Sequence, residues 1–262
     1  MISGGSSGIG REIAVALARA GYRTALIARR EERLHEVACD LSRWAPSIPI
    51  SLDLSCSRAV YEELPEALRG LGPVDVLVNC AGHGQYKPFL ECIPEDQHRL
   101  MGVHYFAAAA AIRALLPSML ERGDGSVINI GSMSVKVGPW GHSGYAAAKA
   151  ALTALTEALA AEYGDSGVRF SIVYPGMINT PFFDHPSLDA LRARNERFLI
   201  PPERVARAVT RLLDRPRLHV CVPRYYRLLD LLAAASPSAA HYLVTRCSRP
   251  RDLKASDIPK QR

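Results

Sequence analysis

Apolar positions along the chain follow two alternating patterns. Short β-branched runs occur at 24–28, 48–52, 74–79, 126–130, 168–174 and 218–222. Between them lie longer Ala-, Leu- and Arg-rich stretches whose apolar residues recur at helical spacing: 11–20, 30–44, 57–70, 94–121 (one long helix or two), 143–163 and 202–213. Pro202 opens the last of these, where its fixed φ suits a first helical turn. Repeated βα units predict a parallel sheet covered by helices on both faces. The expected fold class is therefore α/β, a three-layer, doubly wound, Rossmann-like single domain over residues 1–223. Residues 224–262 form an apolar helical extension and a basic tail.

Glycines punctuate the start. Ser3-Gly4-Gly5-Ser6-Ser7-Gly8-Ile9-Gly10 runs directly into a helical stretch closed by Gly21. Gly4, Gly8 and Gly10 allow a tight turn whose backbone N–H groups, with Ser6, Ser7 and Ile9, approach a pyrophosphate at a helix N-terminus. Only Met1 and Ile2 precede this turn, whereas a strand normally needs about five residues. Either the central strand is unusually short or the natural start lies upstream. The second strand ends Ala28-Arg29-Arg30, with no acid before Glu31. Two guanidinium forks suit a ribose 2′-phosphate, so NADP(H) is the expected cofactor rather than NAD.

Ser143-Gly144-Tyr145-Ala146-Ala147-Ala148-Lys149 starts a later helix. Tyr145 and Lys149 are i and i+4, sharing one face. An ammonium beside a phenol favours the phenolate, which predicts a lowered Tyr145 pKa and a proton donor or acceptor near neutrality. Ser132 follows the strand 126–130 and so falls at the carboxyl edge of the sheet, where open α/β folds bind ligands.

Taken together, Gly4-x-x-x-Gly8-x-Gly10, Asp53-Leu54, Asn79-Cys80-Ala81-Gly82, Ser132, Tyr145-x-x-x-Lys149 and Pro175-Gly176 with Thr180 resemble the short-chain dehydrogenase/reductase family across roughly residues 1 to 223. The resemblance implies that Tyr145 is the general acid/base and that Ser132 orients a substrate carbonyl. It implies that Lys149 binds the nicotinamide ribose and lowers the Tyr145 pKa. It also implies that Asp53 and Leu54 flank the adenine, that Asn79, Ala81 and Gly82 back the cofactor with Pro175 and Gly176, and that Ile178 and Thr180 reach the carboxamide. One position departs from the pattern: where the family has an Asn supporting the Lys through a water, this chain has His104, expected as a functional substitute able to relay protons. His83 is expected to border the nicotinamide, and His142 to line the pocket mouth or face solvent.

Residues 177–199 form the expected substrate loop, with Phe182, Phe183, Leu188, Leu191 and Phe198 suited to covering an apolar substrate. Further on, Tyr225, Leu228, Leu229 and Leu232 share one helical face before Pro237, and Tyr242-Leu243-Val244 forms a second apolar patch. This extension adds a narrower likeness to reductases of long-chain keto lipids, of the 3-ketodihydrosphingosine reductase type. The expected function is reduction of a hydrophobic ketone, or oxidation of the corresponding secondary alcohol. An NADP-binding sensor or scaffold with weak or no catalysis remains the alternative.

Composition narrows the setting. With 48% hydrophobic and 22% charged residues, the chain is neither disordered nor collagen-like in bulk. No apolar run approaches the roughly 18 residues that span a bilayer, and the N-terminus lacks the features of a signal peptide. The net charge is +6, and residues 246–262 carry six basic side chains against two acidic ones. The extension is thus expected to contact either a membrane periphery or another copy of the chain, with a homo-oligomer implied by the family; no nucleic acid and no metal are expected. Cys39, Cys56, Cys80, Cys92, Cys221 and Cys247 include no Cys-x-x-Cys pair, which suggests a reducing, cytoplasmic compartment.

Overall fold

A computed structural model describes residues 1–55, 57–184, 189, 192–193 and 196–248. Cys56, Leu188, Leu191 and the tail from Arg249 onward lie outside the described residues. Seven strands form one parallel sheet: β1 (Ile2–Ser3), β2 (Thr24–Ala28), β3 (Ser47–Ser51), β4 (Val76–Asn79), β5 (Gly125–Ile130), β6 (Val168–Pro175) and β7 (His219–Val222). Their order is β3-β2-β1-β4-β5-β6-β7. Strand order reverses between β1 and β4, which opens a crevice at the carboxyl ends of the strands.

Adjacent strand residues point to opposite faces, so each strand feeds two cores. Leu26, Val78 and Ile128 pack on one face with Ile13 and Leu17 of α1 (Gly8–Arg19), Leu34 of α2 (Glu31–Leu41) and Val205 and Val209 of α8 (Glu203–Asp214). Ile27, Leu77 and Val127 pack on the other with Val60 and Leu64 of α3 (Ser57–Ala67) and Ile112 and Met119 of α5 (Ala107–Arg122), flanked by α7 (Ser143–Glu162). Runs that are apolar on both sides are what a doubly covered parallel sheet demands.

Within the described residues the central strand comprises Ile2 and Ser3. Ile2 pairs with Leu26 on one side and Val78 on the other. Pairing is carried past the strand by Val78 N donating to Met1 O at 2.9 Å and Gly4 N donating to Ile27 O at 2.7 Å. A buried polar rung sits deeper in the sheet: Asn79 Nδ2 donates to Asn129 Oδ1 and Asn129 Nδ2 to Thr156 Oγ1, each at 2.8 Å. It ties β4 to β5 and α7.

The stretch 94–122 is one continuous helix, α4 (Pro94–Met101) joined to α5 by a π-helical turn at Gly102–Phe106. Its 29 residues include an 18-residue window of mean hydropathy 1.4, so by length and composition it could cross a membrane, contrary to the expectation from sequence. Much of that window is buried inside the protein, because one face of α5 packs on the sheet. The π turn inserts an extra residue, a feature that often re-aims a side chain at a functional site. Here that side chain is His104.

The C-terminal extension folds back as two helices, α9 (Tyr226–Ala235) and α10 (Pro237–Ser248). The Tyr226 ring occupies the space a side chain at Gly176 would fill. Asp230 pairs with Lys136 of the short α6 (Ser134–Val137) at 3.2 Å. At the end of α10, Tyr86 Oη donates to Ser248 O at 3.0 Å and Trp140 N donates to Ser248 Oγ at 3.1 Å.

Candidate active site

The glycine turn is built by close backbone approach. Gly4 has φ +72°, a left-handed conformation, and a Cβ there would lie 2.9 Å from Ala81 Cα. Ser3 Oγ accepts from Cys80 N at 3.0 Å and Ala81 N at 3.1 Å, locking this turn to the one after β4. A Cβ at Gly10 would collide with the Gly4 carbonyl. Helix α1 follows at once, with no acidic residue in its first turn. Its leading N–H groups and positive dipole end therefore face the cleft uncompensated. This cradle fits a pyrophosphate.

Arg29 and Arg30 line the same cleft, joined by Arg33, whose Nε donates to Ser6 O at 3.1 Å. Sequence reasoning missed Arg33, although its position three residues after Arg30 puts the two on one side of α2. Asp53 accepts from Ser55 N at 2.9 Å. That backbone hydrogen bond, aided by the Arg29 charge, holds its carboxyl below the usual range.

Ser132, Tyr145 and Lys149 converge at the end of β5. Ser132 Oγ accepts from Ser134 N at 3.1 Å and from Ser134 Oγ at 3.0 Å. Lys149 Nζ donates to Ile130 O at 2.6 Å and lies 6.0 Å from the centroid of the Tyr145 ring. Burial draws the Lys149 pKa down to about 8. Burial also pushes the Tyr145 phenol up to about 12, against the opposing effect of its hydrogen bond with Ser132. This corrects the expectation of a lowered Tyr145 pKa: at this depth, loss of hydration outweighs the lowering effect of Ser132.

Three rings enclose the phenol. His104 meets it edge-on at 5.2 Å between centroids, Phe182 at 5.7 Å and His142 at 5.7 Å. His104 Nε2 lies 2.9 Å from His83 O. A carbonyl only accepts, so this geometry assigns the proton to Nε2. Gly82 leaves room for the ring, since a side chain there would overlap it. Burial and the Lys149 charge hold His104 well below its ordinary pKa, so it is neutral. His142 is buried rather than solvent-facing, and burial lowers it to about 4.

All of these groups line one cleft of about 1500 Å³. That exceeds the ~300–1,000 Å³ of a typical small-molecule site, leaving space for two ligands side by side. The cleft wall includes the expected Gly4, Ser6, Ser7, Gly8, Ile9, Gly10, Leu54, Ala81, Gly82, Pro175, Gly176, Ile178 and Thr180. Asn79 is the exception. It lies behind the wall, its amide committed to Asn129, because a buried amide in a parallel sheet must find partners within the sheet. Phe182, Phe183 and Phe198 of the loop reach the cleft, as do Tyr225, Tyr226, Leu229, Leu243 and Val244 from the extension.

Similarity to known proteins agrees with this geometry. The family model for short chain dehydrogenase matches residues 1–189. A short chain dehydrogenase of Pseudocercospora fijiensis is 36% identical over 209 residues, covering 73% of this chain and 66% of that protein. Bovine (Bos taurus) 3-ketodihydrosphingosine reductase is 33% identical over 189 residues, covering 70% of this chain and 57% of its own length. The chain therefore matches less than two thirds of the length of either relative. Among solved structures, a Sphingobium yanoikuyae short-chain dehydrogenase in complex with NADPH superposes with a TM-score of 0.80 at 26% identity, covering 99% of this chain and 98% of that one. With its sheet order, its phosphate turn and a family match over most of its length, this chain belongs to the short-chain dehydrogenase family of oxidoreductases.

Proposed function

We propose that this protein is an NADP(H)-dependent reductase of ketones with an apolar body, acting through Ser132, Tyr145 and Lys149. The observation that carries this reading is the buried Tyr145 phenol, lining with Ser132 and Lys149 the same cleft that begins at a phosphate-type turn. The NADPH held by a similar solved protein supports the choice of dinucleotide. Residues Gly4 to Gly10 would hold its pyrophosphate, and Arg29, Arg30 and Arg33 its 2′-phosphate. When bound, the nicotinamide supplies a hydride.

The chain's own groups do the rest. Ser132 Oγ holds the carbonyl oxygen beside Tyr145. The phenol, protonated across the working pH range, delivers the proton that the developing alkoxide needs. Lys149 fixes the ribose and keeps a positive charge near the phenolate formed as the proton leaves. Neutral His104 and Lys149 both border a cavity of about 10 Å³ behind the site, about the space of one water. His104 thus stands where a proton relay would pass. The aromatic loop residues, with Leu229 of α9 and Val244 of α10, exclude water from the reacting end.

The pKa values set a pH profile. The Lys149 ammonium titrates near 8, so reduction is level below that pH and declines above it as the charge is lost. Lys149→Arg keeps its charge at any working pH, and its profile stays level through pH 9. An unchanged decline in that variant, read from NADPH absorbance with a ketone, assigns the titration to another group.

Cofactor choice is tested at Arg29 and Arg33. Arg29→Asp with Arg33→Ala is expected to weaken NADPH binding by about tenfold or more while leaving NADH binding nearly unchanged, since hydrogen bonds to charged groups contribute about 1.5–3 kcal/mol each. Equal loss for both dinucleotides, by fluorescence titration, would place these arginines in general support of the fold instead.

A further inference from the structure

We propose that the cleft mouth is a docking face for an anionic lipid bilayer. Most exposed large apolar side chains among the described residues lie on segments that border this mouth; Tyr22, Tyr61 and Phe106 are the exceptions. One lip, the segment whose Lys87, Asp96 and Arg99 line the cleft, also carries Phe89, Leu90 and Ile93, the first of them 66% exposed. The other carries Leu228, Leu231 and Tyr242 on α9 and α10, with Leu228 70% exposed. The hydrogen bonds from Tyr86 and Trp140 to Ser248 hold the end of α10 against the segments that precede and face the first lip. Solvent-exposed apolar surface gathered around one opening marks an interaction site rather than random scatter.

Charge selects the partner. Arg224, Arg227 and Arg246 are exposed on the second lip, and its one acid, Asp230, is taken up by Lys136. The first lip is near balance, with Glu91, Glu95 and Asp96 against Lys87 and Arg99. The chain leaves Ser248 at this rim and continues for residues 249–262, whose sequence holds five basic and two acidic side chains. Leucine and tyrosine flanked by arginine, in a chain whose sequence continues basic, is the pattern of an interfacial helix on negatively charged lipid. A contact between two copies would bury a patch with three exposed arginines and no free acid against another of the same net sign.

The inner faces of the same two helices line the cleft through Leu229 and Val244, while the outer faces carry Leu228 and Leu231. A bilayer seated on the outer faces would let an apolar substrate reach Tyr145 without crossing water. That last step rests on the reductase reading; the docking face itself does not.

Sedimentation of the full chain with phosphatidylcholine vesicles, with and without phosphatidylserine, tests the proposal. Partitioning should rise about tenfold or more with phosphatidylserine and fall back as salt is raised, because each basic residue near the surface adds about fivefold at low ionic strength. Leu228→Glu with Leu231→Glu should remove most binding while reduction of a water-soluble ketone and the thermal melt stay as in the wild type. Arg224→Glu with Arg227→Glu should lower the preference for phosphatidylserine by about tenfold or more. Equal or absent binding to both vesicle types overturns the proposal. So does light scattering in which the leucine variant turns a dimer into a monomer, since the patch would then belong to a second copy. Binding is read without turnover, so its failure is separate from failure of the reductase reading.

Discussion

Tyr145→Phe lowers the turnover of any ketone substrate by about 10²–10⁴-fold, the usual contribution of a positioned proton donor, while NADPH binds as before. The change removes one oxygen and preserves the ring. Its contacts with His104, His142 and Phe182 depend on the ring, so the pocket keeps its shape. What is lost is the hydroxyl whose proton the developing alkoxide takes and whose hydrogen bond reaches Ser132. The phenol buried here holds its proton to about pH 12, so the free site is set for donation, which favours the reductive direction. In the oxidative direction the same group must first ionise, so the rate should climb as pH rises toward the phenol's range. Stopped-flow absorbance of NADPH in both directions checks this. Near wild-type turnover in the Tyr145→Phe variant would end the mechanism proposed here.

Gly10→Ala is the second large effect: NADPH affinity falls by roughly 100-fold, from about 3 kcal/mol of overpacking, at the top of the range for inserted methyl groups. The new Cβ would overlap the Gly4 carbonyl and come within 2.7 Å of Gly4 C and 3.3 Å of Gly5 N. These are backbone atoms in a turn held by Gly4 N donating to Ile27 O and by its packing on Ala81. They cannot yield as a side chain would. The first turn of α1 must shift outward, and its N–H groups leave the site where a pyrophosphate would sit. Isothermal titration with NADPH measures the loss, and circular dichroism confirms that the sheet persists. Unchanged affinity would mean that the phosphate turn is not where the dinucleotide binds.

Much of this site was legible from residue order because its parts are local. The Gly4–Gly10 turn, the Tyr145–Lys149 spacing and the placement of Ser132 after a β-branched run each depend on a few neighbouring residues. The setting of Asn79 was not legible, for the opposite reason. Its partner, Asn129, is fifty positions away, and nothing near Asn79 in the chain reports that its amide is already satisfied. The burial of His142 against Tyr86 and Tyr145 and the reach of Arg33 to Ser6 were hidden on the same ground, since both arise only when separate elements meet.

The sequence by itself determined the alternation of strands and helices, the anion-binding turn and the identity of the proton-handling groups, because helical and strand periodicity and backbone freedom at glycine are short-range properties. Only the tertiary structure decided the protonation state of those groups. Burial raised Tyr145 and lowered Lys149 and His104, and burial is a sum over atoms from β4, β5, α5 and α7 that no stretch of chain contains. It also decided that α9 and α10 return to wall the cleft, since that depends on Tyr226 finding the bare backbone of Gly176 and on Ser248 finding Tyr86 and Trp140.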